Sequence, residues 1–362
     1  MSQMNTQAKQ TQTIHKSEAN ASVQCGKQTL KFSAPPIILS AASVVGEKEG
    51  QGPLSSFFDQ VEQDLTFGQE SWEEGESEMI RRAVQTAITK SGISKTDIRY
   101  LFGGDLLGQL IGTTFGLKDF DIPVFGLYGA CSTCGEALSL AAMTTAAGYA
   151  DYVLAVTSSH YASAEKQFRF PLEYGNQRPL SATWTVTGSG AFVISRTTEN
   201  TPLKGYPHIT AVTTGKIVDY GVRDSMNMGA CMAPAAADVI YQCLEDLNMK
   251  PSQFDHIITG DLGSVGSNIL IKLLMDNGYD ISKQHLDCGL LIYDNETQDT
   301  HSGGSGCGCS AVTLAGYLLH KLKEQIFKRI LFVPTGALLS TVSYNEGQTI
   351  PGTAHALVIE TI

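Results

Sequence analysis

The sequence predicts an α/β fold built from two copies of one unit, and three observations carry that prediction. Phe102-Gly103-Gly104-Asp105-Leu106-Leu107-Gly108 returns as Ile258-Thr259-Gly260-Asp261-Leu262-Gly263-Ser264. Tyr128-Gly129-Ala130-Cys131-Ser132-Thr133 returns as Gly304-Ser305-Gly306-Cys307-Gly308-Cys309-Ser310. An alanine-rich amphipathic stretch precedes each Gly-Asp-Leu (Met79 to Lys90, Ala235 to Leu247), and a strand follows each cysteine block (Tyr152 to Thr157, Ile330 to Pro334). Blocks that keep their order while the spacing between them changes are the mark of a duplicated α/β unit.

Taken in order, residues 1–26 are rich in Gln, Thr, Ser, Asn and Lys with few large apolar side chains, which predicts a disordered arm. A first half then runs over 27–200 and carries Cys131, and a second over 201–362. Pro35 to Ala42 reads as an early strand, Gly46 to Pro53 as a glycine-rich loop, and Leu54 to Asp64 as helical. Glu76 to Ser91 has Met79, Ala83, Ala87 and Ile88 at helical spacing, stops near Gly92, and leads into a strand over Ile98 to Phe102. Pro123 to Leu127 is a short apolar strand, Gly129 to Thr133 its turn, and Glu136 to Ala147 a helix. After the strand Val153 to Thr157 comes a polar and aromatic insertion to Pro179, without counterpart in the second half. Thr187 to Ile194 closes the first half as a turn and strand, and Ala354 to Glu360 closes the second.

The balance of 25 basic against 36 acidic residues, net −11, excludes a broad nucleic-acid-binding surface and an electrostatic dock onto anionic lipid. With eight scattered cysteines and no signal-peptide pattern, the expectation is synthesis and folding in a reducing cytosol. Cys131 and Cys134 have C-x-x-C spacing, but no partner pair or histidine cluster stands at zinc-ribbon distance, so neither a metal nor a cofactor is expected. The chain has no apolar run of membrane-spanning length.

Cys131 stands at a strand-to-helix turn, where unsatisfied backbone N–H groups lower a thiol pKa and attract anions. Burial among apolar groups works the other way and leaves a cysteine inert. Gly129, Ala130 and Ser132 keep the approach open, and the C-terminal ends of strands are where open α/β sheets place ligands. His160 follows a strand end and is either a cleft residue or a satisfied core histidine. Asp105 reads as a turn cap, and Lys166 and Arg178 as solvated charges. Arg169, between Phe168 and Phe170, is better placed to grip a carboxylate with its planar fork.

The duplication, the Gly-Ala-Cys-Ser turn and the Gly-Gly-Ser-Gly-Cys-Gly-Cys-Ser loop resemble the thiolase and ketoacyl synthase superfamily. That resemblance implies a thiolase-like fold: two pseudo-symmetric βαβαβαββ halves in a layered α-β-α-β-α architecture, with the first-half cysteine as acyl-accepting nucleophile. More narrowly, Ser158-Ser159-His160, Gln167 to Pro171, Glu173-Tyr174-Gly175, Met232 to Asp238, Asp287 to Tyr293 and Thr335 to Ser340 resemble the stage V sporulation protein AD family over about residues 27 to 362. It implies a role in moving pyridine-2,6-dicarboxylic acid (dipicolinic acid), as its calcium chelate, into the developing spore. The implied partners are membrane proteins of the same operon, with peripheral association at the spore inner membrane. Relatives of this fold also imply a homodimer.

Condensing enzymes need two further groups besides the thiol, His with His or His with Asn. Here the loops matching by order offer Asp261 in place of an imidazole, and Ser305 with backbone amides in place of Asn. A carboxylate beside a developing oxyanion repels it, so Asp261 argues against thioester chemistry. Cys307 and Cys309 lie where thiolases keep a second cysteine, which keeps an acyl-CoA-dependent condensing enzyme or thiolase as the rival, and a structural subunit with a vestigial cleft as a third possibility. The expected role is non-catalytic binding of the dicarboxylate, by Cys131, His160, Arg169, Phe170, Asp261, Ser305 and Cys307, with its ring near Phe168, Phe170 or Tyr174.

Overall fold

The structure, a computed structural model, describes residues 23–168, 177–198 and 205–361. The first half runs β1 (Ile37–Val45), α1 (Trp72–Ser91), β2 (Ile98–Gly104), α2 (Ile111–Leu117), β3 (Val124–Gly126), α3 (Thr133–Ala146), β4 (Tyr152–Ser159), α4 (Tyr161–Phe168) and β5 (Gly188–Ser195). The second runs β6 (Pro207–Thr213), α5 (Met228–Leu247), β7 (His256–Thr259), α6 (Gly263–Asp276), β8 (His285–Asp287), α7 (Cys307–Thr313), β9 (Arg329–Val333) and β10 (Ala356–Thr361). Without α4, each is a βαβαβαββ unit.

The strand orders repeat. In the first half it is β3-β2-β4-β5-β1 and in the second β8-β7-β9-β10-β6, with the last strand of each unit antiparallel to both its neighbours. The other pairings within each unit, β2 with β3 and β4, and β7 with β8 and β9, are parallel. The two sets meet where β1 and β6 touch, at Ile37 and His208.

Apart from the edge strand β3, the strands of each half are buried on both faces, so they are apolar almost throughout rather than alternating with polar residues. Val153 and Ala155 of β4 join a core with Leu138, Ala141 and Ala142 of α3 and Ala311 and Val312 of α7. Their neighbours Leu154 and Val156 face the other way, onto Met79, Ile80, Ala83 and Ala87 of α1. In β10, Leu357 and Ile359 likewise join the α3/α7 core, while Val358 packs with Val239 and Ile240 of α5 and Leu270 of α6. The period-two switch of faces yields five layers, with α3 and α7 between the sheets.

Helix α1 starts at Trp72 because the Ser71 side chain accepts the Glu74 N–H, and it ends on Gly92 at φ 73°. Helix α5 begins at Met228, seven residues before the alanine run, capped by Asn227, and continues through Pro234. The stretch expected to be helical, Leu54 to Asp64, holds only a 3₁₀ turn at Ser55–Phe57 and a two-residue strand at Gln60–Val61, which extends alongside β1. The loop read at Gly46 to Pro53 contains a short helix, Glu47–Gly50.

The expected arm over 1–26 lies outside the described residues as far as residue 22, and its last residues are ordered. Gln24–Cys25 pairs with Thr29–Lys31, and the latter lies antiparallel against β6 of the second half. Asp246, at the end of α5, fastens this segment by accepting the backbone N–H groups of Lys27, Gln28 and Thr29 and the Thr29 hydroxyl. Five donors, counting the Gln242 amide, hold its carboxyl below the usual range despite the opposing effect of burial.

Candidate functional site

Strand β3 delivers the chain into a tight turn. The Ser132 hydroxyl donates to the Gly129 carbonyl at 2.6 Å and that of Thr133 to the Ala130 carbonyl at 2.6 Å, while the Gly129 N–H reaches back to Thr133 Oγ1. Ala130 is held at φ 51°, a left-handed conformation that costs a non-glycine residue about 1–2 kcal/mol. Cys131 therefore stands just before Ser132, the cap of α3, not within its first turn.

The second half supplies what faces it. Ser305 Oγ lies 3.9 Å from Cys131 Sγ and donates to Asp261 Oδ2 at 2.9 Å. The Gly306 N–H donates to the same oxygen at 3.0 Å, and the Thr335 hydroxyl to Oδ1 at 2.7 Å. Asp261 is fully buried, and burial pushes its carboxyl above the usual range while its donors hold it back. The thiol of half-buried Cys131 is pushed well up, first by burial and then by the Asp261 charge. Of the two opposing influences expected on this thiol, burial, joined by a neighbouring carboxyl, prevails over a helix dipole that begins only beyond the cap.

Cys131 and Ser305 open into a cavity of about 70 Å³. Its apolar wall comes from Leu106, Ala164, Phe168, Met228 and Leu339, and its polar one from the Thr183 and Thr185 hydroxyls, Tyr128 and Glu165. Of the other residues expected here, Asp261 is one hydroxyl behind the wall. Cys307 is fully buried, packs behind the cavity with Leu106 and Ala164, and donates its thiol to the Ser158 carbonyl at 2.8 Å, so it is not a lining group. His160 is a core histidine: Nε2 meets the Leu65 carbonyl at 2.7 Å, Nδ1 faces the Ser163 N–H, and burial lowers its pKa. Arg169, Phe170 and Tyr174 lie outside the described residues.

Among the described residues no lysine or arginine lines the cavity. Lys166 turns to Glu73, as an ordinary surface pair. Arg178, expected in solvent, has a side chain only 5 % exposed, bound to Asp299 and set 4.8 Å from the Trp184 ring centroid. Sequence reasoning missed Tyr128, Glu165, Thr183 and Thr185. The alternation Thr183-Trp184-Thr185 was the available signal, since period two puts both hydroxyls on one face.

Behind the Leu106 side lies a second pair of acids. Fully buried Glu76 of α1 accepts hydroxyls from Ser158 and Ser163, both at 2.8 Å. Asp105 accepts the N–H groups of Leu107 and Thr113 and the Thr113 hydroxyl. Burial, with Asp105 close by, pushes Glu76 up to about 8.

The doubled βαβαβαββ unit, with a cysteine at the turn before α3 and two second-half loops closing on it, defines a thiolase-like protein. Solved structures agree on the fold. 3-Oxoacyl-[acyl-carrier-protein] synthase III from Aquifex aeolicus matches with a TM-score of 0.52 at 14 % identity, over 90 % of this chain and 99 % of that one. The tetronic acid condensing enzyme AbyA1 matches at 0.57 and 15 %, over 90 % and 99 %, and an OleA structure from Xanthomonas campestris at 0.57 and 14 %, over 91 % and 99 %. Within that class the chain belongs to the stage V sporulation protein AD (SpoVAD) family, whose model matches residues 26–360. It is 44 % identical to stage V sporulation protein AD of Bacillus subtilis (strain 168) over 335 residues, covering 92 % of this chain and 97 % of that protein. This is a sporulation protein on a thiolase-like fold. No helix among the described residues is long and apolar enough to cross a membrane.

Proposed function

We propose that the protein binds pyridine-2,6-dicarboxylate, free or as its calcium chelate, without catalysis, and serves its passage into the developing spore. The observation that carries the non-catalytic reading is Asp261. Its buried carboxyl stands behind Ser305 on the side facing Cys131 and ties up that hydroxyl, while burial first and the Asp261 charge second push the thiol well up, away from its reactive thiolate. The cavity lining carries groups that such a ligand can use: Phe168 and Tyr128 offer ring contacts, and Thr183, Thr185 and Ser305 line it, the last two with hydroxyls that donate to Glu165 and Asp261. Family membership supports the ligand and, with it, action alongside membrane proteins of the same operon at the spore inner membrane.

Titration calorimetry with the pure dicarboxylate, with and without calcium, is expected to give saturable binding that weakens about tenfold in Ser305→Ala and measurably in Cys131→Ala. Absence of binding by the parent protein would leave the vestigial-cleft reading. The rival, a condensing enzyme, draws support from the Cys131 thiol facing the cavity. It predicts an acyl adduct on Cys131 by mass spectrometry after incubation with acetyl-CoA, whereas our reading predicts an unmodified thiol.

We also propose a homodimer formed through β3. Among the described residues this strand ends the sheet and pairs with β2 alone, and it exposes Val124 and Phe125, with Ile111 and Phe115 of α2 exposed as well. Phe125→Asp is expected to yield a folded monomer in sedimentation velocity runs where the parent sediments as a dimer. A monomeric parent would end this proposal.

A further inference from the structure

Any occupant of the cavity that touches Ser305 is separated from the Asp261 carboxyl by a single hydroxyl group. That hydroxyl has one hydrogen, and it points at Asp261 Oδ2. A carboxylate arriving on the cavity side needs the same hydrogen. Two anions flanking one hydroxyl, out of water, repel strongly. No described lysine or arginine lines the wall to offset them.

We infer that Asp261 takes up a proton when an anionic ligand enters the Cys131 cavity, with the Ser305 hydroxyl reversing between the two. This rests on the dicarboxylate reading above. The exchange balances simply. One proton comes from solvent and forms an O–H bond at Asp261 Oδ2, and no bond between heavy atoms is made or broken. Asp261 then donates to Ser305 Oγ, and the Ser305 hydrogen turns to the ligand carboxylate. The Gly306 N–H on Oδ2 and the Thr335 hydroxyl on Oδ1 stay in place, because a protonated carboxyl still accepts at both oxygens. The site thus takes the charge of its ligand partly as a neutral load.

The surroundings favour uptake at Asp261. Its neighbours are the Cys131, Cys288 and Cys309 thiols and the carboxyl of Asp287. Asp287 is occupied by the Thr259 hydroxyl and the Leu262 and Gly263 N–H groups, and is itself pushed up to about 6. Across the cavity stands Glu165, which accepts the Thr185 hydroxyl at 3.4 Å. Burial already biases Asp261 toward its protonated form, so a nearby ligand charge completes the shift.

The test is calorimetry of the full chain with pyridine-2,6-dicarboxylate, in buffers of different ionisation enthalpy, from about pH 6 to about pH 9. The parent is expected to take up nearly one proton per ligand over part of this range, with affinity falling up to tenfold per pH unit there. Asp261→Asn is expected to bind without proton uptake and with an affinity independent of pH, while Glu165→Gln keeps the uptake. Binding by the parent with no proton uptake anywhere in the range, or uptake that survives in Asp261→Asn, overturns the inference and leaves the binding role intact. No binding by the parent at any pH removes the binding role itself.

Discussion

Replacing Glu76 by Gln is expected to stabilise the protein at pH 8 and to have little effect at pH 5. The Glu76 carboxyl has an ordinary value of 4.5 and is pushed up to about 8 in the folded chain. A raised carboxyl contributes its stability fully below the unfolded value, loses it progressively as pH climbs to the folded value, and changes nothing further above that. Holding the proton at neutral pH costs about 3 kcal/mol, from 1.36 kcal/mol per pH unit of separation. Gln keeps the shape and has no proton to hold; one of the Ser158 and Ser163 hydroxyls still donates to its carbonyl oxygen, and the other turns to accept from its NH2 group. Chemical denaturation across the pH range checks this. A variant whose stability tracks the parent from pH 5 to 8 would show that the buried pair is not what the neutral-pH fold is working against.

Gly336→Val is expected to cost at least about 3 kcal/mol and to abolish ligand binding. A Cβ at Gly336 would stand 2.4 Å from the Gly129 carbonyl oxygen and 2.9 Å from the Ser132 nitrogen, both backbone atoms of the cysteine turn. The turn is already strained at Ala130 and has no flexible side chain to yield there. Next door, Thr335 holds Asp261, so the displacement reaches both halves of the site. An unfolding midpoint equal to the parent's would contradict the close approach of these loops.

The sequence disclosed the duplication, and with it the order of the principal strands, because glycines and acids at turns repeat where backbone geometry repeats. The resemblance to condensing enzymes, whose loops match these by order, also put Asp261 and Ser305 opposite Cys131. The sequence was misleading where local pattern and tertiary use diverge. The apolar residues of Leu54 to Asp64 suit a helix, yet this stretch is drawn alongside β1, where Gln60–Val61 pairs as a strand. Helix α5 starts before the alanine run because Asn227 caps it and Cys231 and Met232 are buried, even though Pro234 follows. His160 and Cys307 sit at the right places along the chain for a site, but their side chains are spent on the Leu65 and Ser158 carbonyls. No sequence rule chooses which way a side chain at a strand end will turn. Glu165 comes from the insertion that lacks a counterpart, and Thr183 and Thr185 lie just beyond its end, where the repeat could offer no guidance.

The pairing of Thr29–Lys31 with β6 has a consequence for how the chain comes into being. During synthesis these residues emerge long before Pro207–Thr213, and their fastening to Asp246 waits until α5 has left the ribosome. A strand made early is thus among the last to find its place, and this part of the first half cannot settle into its final form until Pro207–Thr213 and α5 have been translated. The two copies behave in assembly as one cooperative object, joined by a segment that was made long before its partner.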